Sequence, residues 1–152
     1  MRILFLCTGN SCRSQMAEGF ARALAVDGTG AASAGIDPHG QNPRAIAAMN
    51  EVGIDISGQQ STRLNDAMLA SADLVVTVCG DADEQCPLLP PGTRKVHWPL
   101  PDPARARGTE DEIAAEFRSV RDDIRARVHA LLAEHDLLRS DASAGPETKP
   151  TL

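Results

Sequence analysis

The chain has 152 residues, the size of one domain; 42% are hydrophobic, only 3% are aromatic, and there is no tyrosine. Its formal net charge of -6 excludes broad contact with nucleic acid or an anionic membrane, both of which need a basic face, but not the binding of a small anion in a local pocket of donors. The apolar start "MRILFLC" stops after about six residues, short of a secretory signal, and nothing approaches a membrane span. A cytoplasmic location is therefore expected. In a reducing compartment the four cysteines favour catalysis, redox chemistry or metal binding over structural disulfides.

In chain order, Arg2–Leu6 reads as a short buried strand, apolar without alternation and so parallel. Residues 14–26 carry Met16, Phe20, Ala23 and Leu24 at helical spacing. A small-residue strand follows near Ala31–Ile36. Asn42-Pro43 marks a helix start, cap then first position, and that helix runs to Val52 before Gly53. A short helix fits Leu64–Ala70. "DLVVTVC" is the clearest strand, Asp73–Cys79, and "KVHW" is a fourth, Lys95–Trp98. A long helix fits Glu110–His135, with Ile113, Phe117, Val120, Ile124, Val128, Leu131 and Leu132 on one face. The polar end predicts one domain over 1–138 and a disordered tail over 139–152. Alternating strands and helices predict an α/β fold, a four-stranded parallel open sheet with helices on both faces. Such sheets bind ligands beyond the carboxyl ends of their strands, where Cys7 and Cys79 both fall.

"CTGNSCRS" lies between the first strand and the first helix. A loop there turns successive N–H groups inward, and the helix N-terminus adds partial positive charge, so Thr8, Gly9, Asn10, Ser11, Cys12 and Arg13 form a candidate oxyanion cradle. Gly9 and Asn10 tolerate positive φ. Arg13 can clamp two oxygens of a tetrahedral anion. The same field predicts a depressed pKa for Cys7, with Ser14 donating to its sulfur. The competing reading is an inert buried thiol, and packing is the better reading for Cys12. A nucleotide-binding loop fits poorly, since no second glycine and lysine follow.

"VTVCGDADEQCP" holds Cys79 and Cys86. Zinc ligands usually stand closer together in sequence. Two unrelated buried thiols remain possible on spacing alone, and three thiols near one anion pocket suggest an oxidation relay. Asp102, in "PLPDPA", sits in a stiff loop that suits a general acid, although Asp-Pro is also common turn chemistry. His39 and His97 stand alone and read as structural.

The run "CTGNSCRSQMAEG" with the later "DPA" resembles the low-molecular-weight protein tyrosine phosphatase family. More closely, "SAGI", "NPRAIAAMNEVGIDIS", "ADLVVTVCGDADEQCPLLPP" and "HWPLPDPARARGTEDE" resemble its thioredoxin-coupled arsenate reductases, over about residues 1–135. The resemblance implies a reaction. Cys7 attacks arsenate, Cys79 attacks the Cys7–arsenic adduct to release arsenite, and Cys86 moves the disulfide to Cys79–Cys86, which thioredoxin reduces. It implies that Asp102 protonates the leaving group and helps deprotonate Cys79, and that the chain is a monomer. Phosphate and sulfate are implied competitors, and a weak phosphatase activity is implied too. No tightly bound cofactor is expected. Asn10 and Ser33 match positions that help hold potassium in some relatives, but Gln60 and Thr62 bring no carboxylate to complete that site. Ala104 stands where phosphatases of this fold carry an aromatic wall. Two competing functions are a phosphatase using Cys7, Arg13 and Asp102 alone, and a non-enzymatic metalloid or zinc binder. Finally, a helical 80–86 would hold Cys79 and Cys86 about 10 Å apart, too far for a disulfide, whose Cα atoms stand about 4.4–6.8 Å apart. This segment is therefore expected to unwind on oxidation.

Overall fold

The valine-rich run forms the centre of the sheet, as its unbroken apolar character requires. In the computed structural model, which describes residues 1–86 and 89–140 with the side chains of 81, 83 and 85 left aside, β1 (Arg2–Cys7), β2 (Gly30–Gly35), β3 (Leu74–Thr77) and β4 (Arg94–His97) form one parallel sheet in the order β2-β1-β3-β4. β1 and β3 are buried on both faces. β4 is an edge strand, and its exposed Arg94 and Lys95 discourage further pairing.

The helices are α1 (Arg13–Leu24), α2 (Pro43–Asn50), α3 (Asp66–Ser71), α4 (Gly80–Gln85) and α5 (Glu110–Glu134), with a 3₁₀ turn at Pro103–Arg105. α1, α2 and α5 pack on one another. The path β1→β2 runs opposite to β2→β3→β4, so right-handed crossovers put α3 and α4 on the other face. The direction reverses between β1 and β3, and there the crevice opens. Among the described residues no helix is long and apolar enough to cross a membrane.

Elements end within a few residues of their predicted bounds, each for a local reason. α1 stops at Leu24 rather than Val26 because Ala25 is extended and bridges Leu138. α3 begins at Asp66 rather than Leu64: Asn65 caps it by accepting from Met68 N–H at 2.8 Å, and Leu64 N–H goes instead to the Gly35 carbonyl at 2.9 Å. The Asn42 cap accepts from Arg44 N–H at 2.8 Å with Pro43 first in the helix, as expected. Arg139, the first residue of the disordered tail predicted over 139–152, instead donates to the Leu24 and Ala25 carbonyls, each at 2.9 Å. The rest of that tail, from 141 onward, lies outside the described residues.

One cluster fastens α2 to α5. Glu51 accepts from Arg118 at 2.9 Å and from Arg121 at 2.8 Å, and Arg121, nearly buried, also donates to the Ala48 carbonyl at 2.9 Å. Arg118 first and Arg121 second hold the Glu51 carboxyl down at about 2, against an ordinary 4.5. A depressed folded pKa stabilises above the unfolded value and is lost as pH falls through the folded one. Glu51→Gln should therefore lower the thermal midpoint at neutral pH. The gap to wild type should close between about pH 4.5 and about pH 2. Thermal melts across that window check this, and a gap independent of pH would contradict it.

Candidate active site

β1 delivers Cys7 to the sheet edge, and the chain must then turn within a few residues to enter α1. Asn10 makes the turn in the left-handed region, at φ 48°. Gly35, beside Cys7 in β2, allows the loop to lie close: a Cβ there would stand 2.7 Å from the Thr8 carbonyl oxygen and 2.9 Å from Asn10 Cβ. Cys12 precedes α1 without capping it by its side chain. Among the described residues, the N–H groups of Gly9 to Arg13 donate to no protein acceptor.

The loop opens on a cleft of about 470 Å³ lined by Cys7, Thr8, Gly9, Ser11, Cys12, Arg13, His39, Cys79, Gly80, Asp102, Ala104 and Arg105. Distant parts of the chain converge here on Arg13. Its Nη1 donates to the Leu100 carbonyl at 3.0 Å and, at 3.4 Å, to that of Val78, just before Cys79. Its Nη2 stands 3.7 Å from Asp102 Oδ2. The Nε of Arg13 is buried with no protein partner, a donor left over for an anion. Asp102 caps the 3₁₀ turn through Ala104 N–H at 3.0 Å, with Arg105 Nε 3.8 Å from its other oxygen.

The four cysteines are free thiols; Cys7, Cys12 and Cys79 are buried and Cys86 half-buried. Cys7 and Cys79 line the same cleft and their titrations influence each other, and Thr8 Oγ1 lies 3.2 Å from Cys79 Sγ. Cys79 is also the N-cap of α4, its sulfur accepting from Ala82 N–H at 3.4 Å. Neighbouring Cys7, then Thr8, Ala82 and Arg13, outweigh burial and pull Cys79 down to about 5. Cys7 moves the other way, raised chiefly by neighbouring Cys79 and then by burial, against Arg13 and the Thr8 backbone. The predicted low pKa of Cys7 is thus corrected. Within the pair, Cys79 is shifted toward the thiolate and Cys7 toward the thiol. Burial pushes Cys12 up to about 11, in line with packing.

Ser14 is buried, and its Oγ accepts from Asn10 Nδ2 at 2.8 Å. Thr62 N–H, 2.8 Å from Asn10 Oδ1, fixes which way that amide faces. The expected Ser14–Cys7 bond is not among the hydrogen bonds of the described residues, so Ser14 steadies the turn residue instead. Cys86 stands outside the cleft at the far end of α4. His39, expected to be structural, lies on Gly9 and lines the cleft. Thr8, read only as part of the anion loop, touches the second thiol, a contact that no spacing announces.

The positions matching a potassium site do not fit the ion. Ser33 Oγ donates to the buried Glu18 at 2.6 Å, Arg22 already neutralises Glu18 at 2.7 Å, and Asn10 Oδ1 is taken by Thr62. Among the described residues no group of three His, Cys, Asp or Glu side chains is arranged to hold a metal.

Residues 2–142 match the family model described as low molecular weight phosphotyrosine protein phosphatase. The chain is 56% identical over 126 residues to the arsenate reductase of Bacillus subtilis (strain 168), covering 83% of this chain and 91% of that one. Among solved structures it is similar to an arsenate reductase in the phosphate binding state, 37% identical with a TM-score of 0.71, covering 88% of this chain and 97% of that one. It is also similar to the Corynebacterium glutamicum thioredoxin-dependent arsenate reductase, 26% identical with a TM-score of 0.72, covering 89% and 61%. A parallel four-stranded sheet, a cysteine at its switch point and these likenesses agree: the chain belongs to the low molecular weight phosphotyrosine protein phosphatase family, among its arsenate reductases.

Proposed function

We propose that the chain reduces arsenate to arsenite in the cytoplasm as a monomer, by a thiol relay from Cys7 through Cys79 to Cys86 that thioredoxin resets. The observation that carries this is that Cys7 and Cys79 line one anion cleft together with Arg13, whose Nε is a buried donor without a protein partner. Arsenate docks on the loop N–H groups and on Arg13 Nε. Cys7 sulfur bonds to arsenic, and a hydroxyl leaves as water, its proton coming from the Cys7 thiol with Asp102 as the relaying acid. The Cys79 thiolate then attacks Cys7 sulfur. The S–As bonding pair passes to arsenic, which leaves as arsenite, and a Cys7–Cys79 disulfide remains. Cys86 gives up its proton and attacks Cys79, and Cys7 departs as the thiolate and is reprotonated. Thioredoxin's dithiol supplies the two electrons that reopen Cys79–Cys86.

The resting charge distribution suits this order. Two thiolates beside a dianion would repel it, whereas here one sulfur carries charge and the other brings the proton that the departing oxygen needs. Phosphate docks on the same donors but offers no reducible centre, so slow phosphomonoester hydrolysis through Cys7, Arg13 and Asp102 is a side reaction. Ala104 in the cleft wall provides no ring to grip an aryl phosphate.

The test is NADPH oxidation with thioredoxin and thioredoxin reductase. Arsenate should drive it with one arsenite formed per NADPH, phosphate should not, and Cys7→Ser should abolish it. Fast p-nitrophenyl phosphate hydrolysis without arsenate-dependent NADPH oxidation would favour the phosphatase instead.

A further inference from the structure

Five consecutive carbonyls of the anion loop each have a donor behind them. Cys7, Thr8, Gly9 and Ser11 are held by backbone N–H groups of one segment: Ile36 at 3.1 Å, Asp37 at 2.8 Å, His39 at 2.8 Å and Asn42 at 3.1 Å. Asn10, the left-handed turn residue, is the exception. Its carbonyl accepts from a side chain, Gln15 Nε2, at 3.1 Å. A trans peptide carries its C=O and the following N–H on opposite sides. Drawing the Asn10 carbonyl back toward α1 therefore turns Ser11 N–H toward the cleft.

Gln15 is fully buried, and its amide is oriented without ambiguity. Oε1 accepts from Gln59 Nε2 at 2.9 Å and from Gln41 Nε2 at 3.2 Å, while Nε2 also donates to the Gln60 carbonyl at 2.9 Å. Four partners satisfy a side chain that would otherwise be costly on the core face of a helix.

We propose that Gln15 is a positioning residue for oxyanion binding: it holds the 10–11 peptide so that Ser11 N–H faces the bound anion. The inference rests on the loop being the arsenate cradle. Inorganic phosphate serves as the probe, since it separates anion binding from the relay.

Gln15→Leu keeps the bulk and removes the donor, leaving the Asn10 carbonyl free to rotate. Phosphate Kd and arsenate KM should each rise about tenfold, and the Ser11 amide resonance should lose its shift on phosphate binding while that of Gly9 keeps its own. Gln41→Ala disturbs the same network but leaves Gln15 anchored by Gln59. It should lower the thermal midpoint with phosphate Kd changed by less than about twofold. Unchanged phosphate affinity in Gln15→Leu, or an equal loss in Gln41→Ala, would overturn the proposal and leave Gln15 a packing residue. If Gln15→Leu does not fold, the wild type decides. An anion on Ser11 N–H polarises the Asn10 carbonyl, so the Gln15 Nε2 signals should move with phosphate more than those of Gln41. Signals indifferent to phosphate would overturn it. A wild type that binds no phosphate would instead remove the cradle, and the inference with it.

Discussion

Cys86→Ser is expected to reduce one arsenate per chain and then stop. Its first two steps use only Cys7 and Cys79, which already line one cleft, so the burst should run at the wild-type rate. The product is a disulfide between two buried sulfurs, where an attacking dithiol from another protein has no approach. In the proposed relay Cys86, half-buried beyond the far end of α4, is the sulfur through which oxidation leaves the cleft. Rapid-quench arsenite measurement should give a stoichiometric burst and a steady rate near background, and peptide mapping should find Cys7 joined to Cys79. Sustained thioredoxin-dependent turnover in Cys86→Ser would end the three-thiol scheme and leave a two-thiol enzyme.

Much of this was legible in the order of residues along the chain. An unbroken apolar run before "CTGN" and another before "CGDADEQC" put two cysteines at strand ends, and parallel topology brings strand ends together. Hence Cys7, Cys79, Arg13 and Asp102 meet in one cleft although 95 positions separate the first from the last. What could not be read depends on single atomic contacts. Cys79 is shifted down by neighbouring Cys7 first, and then by the Thr8 hydroxyl and Ala82 N–H that reach its sulfur. Ser14 serves Asn10 because Thr62, 52 positions on, turns the asparagine amide toward it. Gln15 left no trace in the spacing: it stands off the Met16–Phe20 stripe, and it is buried because α1 is covered on every side over Ser14–Ala21.

Oxidation to Cys79–Cys86 should unwind α4. The two residues cap opposite ends of its six residues. At a helical rise of about 1.5 Å per residue they are about 10 Å apart, whereas a disulfide brings its Cα atoms to about 4.4–6.8 Å. No rotamer change covers that difference, so backbone hydrogen bonds must break. The helix is built to release. It is too short to be stable alone, it begins with glycine, and its N-cap is the Cys79 sulfur itself. Drawing that sulfur across toward Cys86, rather than toward neighbouring Cys7, takes it off Ala82 N–H and uncovers Ala82, fully buried in the reduced form. Amide exchange over 80–86 should accelerate at least about tenfold in the Cys79–Cys86 form, with β1 and β3 unchanged. Cys86→Ser trapped as the Cys7–Cys79 disulfide is the control. There α4 keeps both ends and should retain the protection of the reduced protein. Equal protection in all three forms would mean that the final disulfide does not close across this helix, and that Cys86 works by pairing with a thiol other than Cys79. Acceleration already present in the trapped Cys86→Ser form would assign the release of α4 to the first disulfide. The helix would then open before Cys86 attacks, and its opening would be what brings Cys86 within reach of the cleft.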